Sequence, residues 1–193
     1  MKLAVHPLTK GRWQDLVDLF NRPGGSIVRG CWCMYYRKSG ATAGAAAGEG
    51  NKRALKALVN RGTVPGLLAY RAGRPVGWIS LGPREGYARL ERSQVMKPVD
   101  EEPVWSIVCF FVDRKERGKG VSKVLLRGAI DYARSQGARL LEAYPVDKRV
   151  RSHDDFMWFG ARSMYDKAGF CEVARRKPTR PVMRRKLRAR SSH

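Results

Sequence analysis

The chain reads Val-Trp-Ser-Ile-Val-Cys-Phe-Phe-Val at residues 104–112 and Arg-Gly-Lys-Gly-Val-Ser at residues 117–122. The first stretch is a continuous apolar run of the kind that forms a buried strand. The second brings glycines to the start of an amphipathic pattern with helical period. The first N–H groups of a helix have no partner inside the helix and carry partial positive charge. Strand, glycine turn and helix start therefore predict a site where main-chain N–H groups hold a phosphate.

Two common phosphate-binding motifs fit these residues less well. A P-loop needs Gly-x-x-x-x-Gly-Lys-Ser/Thr, but Gly120 follows Gly118-Lys119 here and the upstream glycine is missing, so that motif is excluded. A dinucleotide-binding turn needs Gly-x-Gly-x-x-Gly directly after the strand. Gly118, Gly120 and the downstream acid Glu142 fit that pattern, whereas Lys123 stands at the third glycine. The dinucleotide turn therefore remains a weaker alternative.

A third pattern fits more closely. The segment 117–122 resembles the pyrophosphate loop of the GNAT acyltransferase superfamily, Arg/Gln-x-x-Gly-x-Gly/Ala, with Ser122 as the last small residue. Downstream, Ala161–Phe170 resembles the second segment of that superfamily, Ala-x-x-x-Tyr-x-Lys-x-Gly-Phe. Because both motifs occur in the expected order, the chain is identified as a member of the GNAT superfamily, of the bacterial acetyltransferase type. One departure is Trp158, which stands where relatives often carry an asparagine.

The resemblance implies a fold and an activity. The fold would be α/β (α+β), with a mixed, mostly antiparallel central sheet of about six to seven strands flanked by about four helices. The activity would be N-acetyl transfer from acetyl-CoA, as co-substrate and without a metal, to a primary amine of a small molecule or protein. The amine would attack the thioester directly in a ternary complex. The partners implied are coenzyme A and an amine acceptor.

The resemblance also implies a set of coenzyme-binding residues. Main-chain groups of Phe110, Phe111 and Val112 would pair with the pantetheine arm like an added strand, with the Val112 N–H near the thioester oxygen. The remaining members of this set surround the pyrophosphate, and they are Arg117, Gly118, Lys119, Gly120, Val121, Ser122 and Lys123.

Candidates for catalysis follow from the chemistry of acyl transfer. Tyr165, in the second motif, is the predicted general acid, because a phenol can protonate the departing thiolate. Some relatives carry a glutamate on the strand before the loop, whereas this chain has Ser106, which cannot take a proton unaided. Glu142, Asp147 and His153 are the candidates for a general base, acting directly or through water. For each of these three, a surface or salt-bridged role is the competing interpretation.

Several aromatic residues indicate where the acceptor would bind. Some of them lie beside a Gly/Ala-rich segment, residues 39–50, and aromatic side chains in such a position suit a planar or apolar amine. The alternative is that they fill the core beneath the first helix. The predicted acceptor residues are Trp32, Tyr35, Tyr36, Trp78 and Arg84.

Composition limits the class of protein. Hydrophobic residues make up 43% of the chain, which favours one globular domain over a disordered chain. The sequence has no apolar run long enough to span a membrane and no signal-peptide core, so a cytoplasmic location without membrane association is expected. The four cysteines are expected to be reduced thiols. Cys31-Trp32-Cys33 lacks the spacing of a zinc site.

The charge of the chain is strongly basic. It carries 39 Lys and Arg against 17 Asp and Glu, a formal net charge of +22. Basic residues concentrate at the end, so the predicted domains are a single acetyltransferase domain at 1–183 and a basic tail at 184–193. Weak nucleic-acid binding through that tail is an open expectation. The alternatives for function are a nucleic-acid- or ribosome-associated module and a non-catalytic coenzyme-A-binding regulator. A monomer and a homodimer are both open.

Hydrophobic periodicity predicts the order of elements. Pro145 lacks an N–H group, so we expect it to end one strand and help to splay that strand from 104–112. The predicted strands are 2–9, 67–70, 76–81, 104–112, 139–144, 170–174 and 182–187. The predicted helices are 12–20, 52–59, 118–136 and 158–168.

Overall fold

The computed structural model describes residues 2–38, 48–147 and 158–188 of the chain. Its strands are β1 (Leu3–Pro7), β2 (Gly66–Arg71), β3 (Arg74–Pro83), β4 (Trp105–Val112), β5 (Leu140–Ala143), β6 (Cys171–Lys177) and β7 (Arg180–Lys186). Its α-helices are α1 (Trp13–Asn21), α2 (Ser26–Cys31), α3 (Gly48–Asn60), α4 (Ala88–Glu91), α5 (Val121–Ser135) and α6 (Arg162–Lys167). Short 3-10 turns lie at Lys10–Arg12, Arg84–Gly86 and Arg114–Glu116.

The strands form one seven-stranded sheet in the order β1-β2-β3-β4-β5-β7-β6. Every neighbouring pair is antiparallel except β4 and β5, which are parallel. Parallel neighbours need a crossover connection, and α5 provides it. The predicted class, a mixed and mostly antiparallel sheet in an α/β fold, is confirmed. The described residues form six α-helices rather than about four, because α2 and α4 are short helices that the hydrophobic pattern did not predict.

The sheet buries an apolar cluster on each face. On one face, α5 packs its buried side chains, among them Leu125 and Ala129, against residues of β2, β3 and β4. On the other face, α1, α2 and α3 cover a second cluster that includes Phe20 and Trp78. The start of α5 lies very close to β3, since a Cβ added to Gly77 would come within 2.6 Å of a Val121 methyl group. This close packing fixes the start of α5 beside the end of β4.

Helix α6 begins later than predicted. The pattern predicted a helix from Trp158, but α6 starts at Arg162. The residues before it pair with the chain after β5 instead: the Val146 N–H donates to the Gly160 carbonyl at 2.9 Å, and the Arg162 N–H donates to the Val146 carbonyl at 3.0 Å. The segment Trp158–Gly160 is therefore held as a turn beside the chain that follows β5, and this segment becomes important at the site below.

Helix α3 begins inside the Gly/Ala-rich segment that was predicted to be a loop. It starts at Gly48, and residues 39–47 of that segment lie outside the described residues. The predicted base His153 likewise lies outside them. All four cysteines have unpaired thiols. None of the described helices has the length and apolar character needed to cross a membrane.

The predicted boundary between domain and tail falls within β7. That strand continues to Lys186, so the first residues assigned to the tail belong to the sheet. The Arg184 side chain is only 9% exposed and donates to Glu142 at 2.7 Å and to Asp100 at 2.6 Å. The Arg185 guanidinium donates to the Ala168 carbonyl. These arginines are therefore occupied within the fold, and residues 189–193 lie outside the described residues.

Candidate active site

The predicted phosphate loop connects β4 to α5. After the 3-10 turn that follows β4, the chain passes through Gly118 and Gly120, whose φ angles are +77° and +79°. These left-handed conformations favour glycine, and an added Cβ at either position would meet no heavy atom within 4 Å. Helix α5 then starts at Val121, with no side-chain hydrogen bond capping it. The first N–H groups of α5 therefore open onto space that can hold an anion.

A cleft of about 360 Å³ lies in front of this loop. Its volume is within the usual range for a small-molecule site. Every residue predicted to bind the coenzyme lines it except Lys119, which lies 3.8 Å from the Glu116 carboxylate. The predicted residues in the lining are Phe110, Phe111, Val112, Arg117, Gly118, Gly120, Val121, Ser122 and Lys123. The cleft also contains Trp158, the departure noted in the sequence, and residues that the sequence did not identify, namely Gly24, Ile27, Val28, Glu116 and Met164.

The acidic residues beside the loop are neutralised by arginines. Asp113 is 4% exposed and accepts a hydrogen bond from Arg22 at 2.9 Å. Burial opposes ionisation of Asp113, but the Lys115 N–H and the Arg22 guanidinium outweigh it and lower its pKa. The Glu116 carboxylate accepts a hydrogen bond from Arg71 at 2.9 Å. Because arginines neutralise these carboxylates, the electrostatic potential at the loop stays favourable for an anion.

A bulge in β4 sets which main-chain groups face the cleft. Ser80 lies opposite Cys109 and Leu81 lies opposite Ile107, so Val108 is an extra residue. Val108 and Cys109 consequently pack into the same apolar cluster. Beyond the bulge, side chains again alternate between the two faces of the sheet. Each one points to the face opposite the one it would occupy without the extra residue.

Beyond the bulge, β4 has one paired edge and one open edge. The Asp113 N–H donates to the Val76 carbonyl of β3 at 3.0 Å. Because N–H groups alternate along a strand, Phe111 also faces β3, whereas Phe110 and Val112 face away from it. On that other edge, β5 pairs with β4 only at 105–107 and ends at Ala143, before Pro145. The two strands therefore separate, and the Phe110 and Val112 main chain lines the gap. The Phe111 main chain does not line the gap, which departs from the prediction for that residue.

At the inner end of this gap, the carbonyls of Trp158 and Phe159 accept hydrogen bonds from the main chain of Phe110 and from the Tyr165 hydroxyl, and so cap these donors. The Phe110 N–H donates to the Trp158 carbonyl at 2.6 Å, and the Tyr165 hydroxyl donates to the Phe159 carbonyl at 2.9 Å. Successive carbonyls of one segment thus occupy both of these donors. Trp158 also lines the cleft, and its side chain interacts with the Tyr36 hydroxyl.

Tyr165, the predicted general acid, is fully buried behind this segment. Its ring meets Phe110 edge-on at 6.4 Å and Phe170 at 5.1 Å. Burial raises the pKa of its hydroxyl, so the phenol stays protonated at neutral pH. Tyr165 can therefore donate a proton but cannot act as a base, and it reaches the gap only when the Phe159 carbonyl moves aside.

Glu142 and Arg84 belong to a buried ion-pair network rather than to a catalytic base and an acceptor contact. Glu142 is 0% exposed. It accepts hydrogen bonds from Arg84 at 2.6 Å, from Arg184 at 2.7 Å and from the Tyr144 hydroxyl at 2.7 Å. Ser106 joins through its contact with Tyr144 at 3.0 Å. Both carboxylate oxygens of Glu142 are occupied, and neither Glu142 nor Arg84 lines the cleft, so neither residue stands where its predicted role requires.

Asp147, another base considered, is also held by arginines. Its carboxylate accepts hydrogen bonds from Arg175 at 2.7 Å and from Arg162 at 2.9 Å. These contacts hold the pKa of Asp147 below its ordinary value. It is therefore poorly suited to take a proton from an ammonium group near neutral pH.

The aromatic residues predicted for the acceptor pocket separate into two groups. Trp32 and Trp78 belong to the core, being 2% and 0% exposed, and the Trp78 indole donates to the Cys33 thiol at 3.1 Å. Tyr35 is exposed and lies beneath Arg89, with 4.3 Å between guanidinium carbon and ring centroid. Tyr36 packs edge-on against Phe159 at 5.5 Å, so among these aromatics it contacts the segment that caps the gap.

No cluster of three or more metal-binding side chains occurs in residues 2–38, 48–147 or 158–188.

Comparison with known proteins identifies the class. A family model described as "Acetyltransferase (GNAT) family" matches residues 32–170. The chain therefore belongs to the GNAT family of acetyltransferases, and by that membership it is an acyltransferase of the N-acetyl type. No curated protein sequence is similar enough to the chain to count as a match.

Solved structures share the fold across nearly the whole chain. An N-acetyltransferase from Staphylococcus aureus Mu50 is 15% identical, with a TM-score of 0.57, over 97% of this chain and 100% of that one. The PaiA N-acetyltransferase from Thermoplasma acidophilum, solved in complex with coenzyme A, is 16% identical, with a TM-score of 0.55, over 96% and 99%. A ribosomal-protein-alanine N-acetyltransferase from Brucella melitensis is 19% identical, with a TM-score of 0.54, over 95% and 99%. At these identities the similarity establishes the fold alone.

Proposed function

We propose that the protein transfers an acetyl group from acetyl-CoA to a primary amine by direct attack in a ternary complex. The observation that carries this proposal is the continuous path formed by the open edge of β4, the Gly118–Gly120 loop and the start of α5 along one cleft. This path offers main-chain donors at both ends, as an acyl carrier with a pyrophosphate group requires. The solved coenzyme A complex of a protein with this fold is consistent with the proposal.

The phosphate end of the cleft holds the pyrophosphate by main-chain N–H groups at residues 120–123. Arg117 and Lys123 also line this end and add positive charge. The pantetheine arm runs along the open edge of β4 and pairs with the main chain of Phe110 and Val112. Since Phe110 lies beside Tyr165, its N–H is the donor we assign to the thioester oxygen, in place of the Val112 N–H.

The reaction is a nucleophilic substitution at the thioester. The neutral amine attacks the carbonyl carbon, so an N–C bond forms while the C–S bond breaks. The Phe110 N–H stabilises negative charge that develops on the carbonyl oxygen. The Tyr165 hydroxyl gives its proton to the departing sulfur. The excess proton on the nitrogen passes to water or to a base, and His153 remains the proposed base.

Binding of the thioester requires an exchange of hydrogen-bond partners. Phe110 and Tyr165 must release the carbonyls of Trp158 and Phe159 before they can bind the thioester. The segment Trp158–Gly160 therefore moves when the acyl end of the cleft fills. The hydrogen bonds lost to the segment are replaced by those gained with the thioester, so the net cost is modest.

The experiment that tests the proposal combines a binding measurement with a turnover measurement. Calorimetry with acetyl-CoA, followed by incubation with a panel of primary amines and detection of products by mass, should show binding and at least one acetylated amine. Absence of acetyl-CoA binding by the folded protein would overturn both the cleft assignment and the activity.

A non-catalytic coenzyme-A-binding protein is the second candidate. The observation that favours it is the ion pairing of Glu142 and Asp147, which leaves neither carboxylate available as a base. Tight acetyl-CoA binding together with no acetylated product across the panel would establish this second function instead.

A further inference from the structure

Arg180 is a partly buried cation at the start of β7. Its guanidinium lies over the Phe159 ring, with 4.4 Å between the guanidinium carbon and the ring centroid. One of its N–H groups donates to the Tyr144 carbonyl at 3.2 Å. Burial lowers the pKa of Arg180, which reflects the loss of water around the charge. A desolvated guanidinium gains most from a hydrogen-bonded anion.

Three other arginines of this region have such an anion. Arg162 and Arg175 each bind the Asp147 carboxylate, and Arg184 binds Glu142 and Asp100. Arg180 has no carboxylate within ion-pair distance among residues 2–38, 48–147 and 158–188. A guanidinium has five N–H donors, and the Tyr144 carbonyl uses one of them. Stacking on Phe159 holds the plane of the group, so its remaining donors point in fixed directions.

The position of Arg180 connects it with the acyl end of the cleft. Phe159 lies beneath Arg180, and its carbonyl accepts a hydrogen bond from the Tyr165 hydroxyl. The ring of Phe159 contacts Tyr36. Tyr36 is close enough to Arg180 for electrostatic interaction: burial raises the pKa of the Tyr36 hydroxyl, and Arg180 opposes that rise. Arg180 and Tyr36 therefore both lie at the ring of Phe159, the residue whose carbonyl holds the hydroxyl of the proposed general acid.

We propose that Arg180, together with the hydroxyl of Tyr36, binds a carboxylate group of the acceptor. The acceptor is then a primary amine that carries a carboxylate a few bonds away, as in an α-amino acid. The carboxylate supplies the anion that Arg180 lacks among the described residues, in a bidentate pair that fixes the direction of the amine. This inference rests on the proposed acetyl transfer and names the substrate class for the same site.

The test compares matched amines and matched variants. The substrates are α-amino acids and the amides of the same amino acids, which differ in the negative charge. The variants are Arg180→Gln and Arg180→Lys, with Arg176→Gln as the control. Arg176 is an exposed arginine of the same hairpin that donates only to the carbonyls of Val95, Lys97 and Pro98 in the described contacts.

The expected result is a loss confined to the acids. In Arg180→Gln, kcat/KM should fall about 10- to 100-fold for the amino acids and stay within about 2-fold for the amides. Arg180→Lys should show an intermediate kcat/KM for the amino acids, because an ammonium group keeps the positive charge but cannot make the bidentate hydrogen bonds of a guanidinium. Arg176→Gln should match the parent. Acetyl-CoA affinity and melting temperature are measured for each variant, so that misfolding is recognised.

Two results would overturn the assignment. Equal kcat/KM for acids and amides in the parent protein would exclude a carboxylate site. An equal loss for both substrates in Arg180→Gln and Arg180→Lys would make Arg180 a structural support for Phe159. Calorimetry of the same amino acid and amide with the coenzyme-A-saturated protein provides a readout without turnover. Preferential binding of the acid, lost in Arg180→Gln, would support the site even if no acetyl transfer occurred and the proposed function failed.

Discussion

The two ends of the cleft hold their hydrogen-bond donors in different states. At the phosphate end, the glycines and the first turn of α5 point their N–H groups into open space. At the acyl end, the Phe110 N–H and the Tyr165 hydroxyl are bound to the carbonyls of Trp158 and Phe159. Under the proposed function, the phosphate end is open before the ligand binds, whereas the acyl end has to exchange hydrogen-bond partners first.

The difference arises from how each end is built. The phosphate end is formed by consecutive residues of one turn, which close packing between Gly77 and Val121 holds against the sheet. The acyl end is formed by a strand and a segment from distant parts of the chain, joined by hydrogen bonds that a ligand can replace. A site made by one local turn can be rigid before binding, and a site between two segments can open and close.

The largest effect is expected at the phosphate end. Gly120→Asp places a side chain and a negative charge where the pyrophosphate would bind, so acetyl-CoA affinity should fall on the order of 10³-fold. The measurement is calorimetric titration with acetyl-CoA.

Gly137→Asp is the matched control for backbone strain. Gly137 lies just past the other end of α5, with φ +81° and open space around its missing Cβ, as at Gly120. The control should retain parental affinity with a similar loss of stability. If both variants bind acetyl-CoA equally well, the phosphate-loop assignment is wrong.

At the acyl end, Tyr165→Phe should lower kcat about 10²-fold while acetyl-CoA affinity hardly changes. The variant removes the hydroxyl and keeps the ring that packs on Phe110 and Phe170. Because burial raises the pKa of Tyr165, the hydroxyl stays protonated to high pH in the parent protein. Deprotonation of Tyr165 should therefore lower the parent's kcat only above about pH 10, the ordinary pKa of a tyrosine.

Tyr132→Phe, a half-buried tyrosine on α5, is the control and should keep full activity. Full activity in Tyr165→Phe, measured where chemistry limits the rate, would leave Tyr165 with a packing role and require another source for the proton.

Hydrogen exchange can compare the two ends directly. The Val146 N–H is protected by the Gly160 carbonyl, which lies in the segment that caps the acyl end. Adenosine 3′,5′-diphosphate fills only the phosphate end and should leave exchange at Val146 unchanged. Acetyl-CoA should displace the segment and speed this exchange by about 10-fold. Equal exchange with both ligands would mean that the segment stays in place.

Local motifs made one side of the cleft predictable from the sequence. The loop 117–122 and the strand before it are close in the chain, so their spacing already predicted that these residues would lie together, and they line one cleft. The same holds for the hairpin formed by β2 and β3 and for α5, whose patterns predicted them. The cleft residue Ile27 was missed because α2 is too short to have a recognisable period.

Long-range pairing made the acceptor side unpredictable. Glu142 and Arg84 each look like site residues in the sequence, yet a hydrogen bond joins them across 58 positions of the chain. Trp78 looks like an aromatic contact for a substrate, but it packs in the core against Cys33. Which charged or aromatic side chain remains available to a ligand depends on tertiary contacts that no local pattern contains.

The smallest effect is expected where ion pairs support the acyl end from outside. Asp147 links Arg162, the first residue of α6, to Arg175 of β6. Asp147→Asn should lower the free energy of unfolding at pH 7 by less than about 1 kcal/mol, because these side chains are partly exposed and water screens them. The pKa of Asp147 is lowered in the fold, so the ionised form stabilises the native state. That contribution is complete above the ordinary carboxyl pKa of about 4 and disappears as the pH falls through the lowered value. Urea unfolding at pH 7 and near pH 2 should therefore show a difference between parent and variant that vanishes in acid. A difference that persists unchanged at low pH would indicate that Asp147 stabilises the protein through packing rather than through its charge.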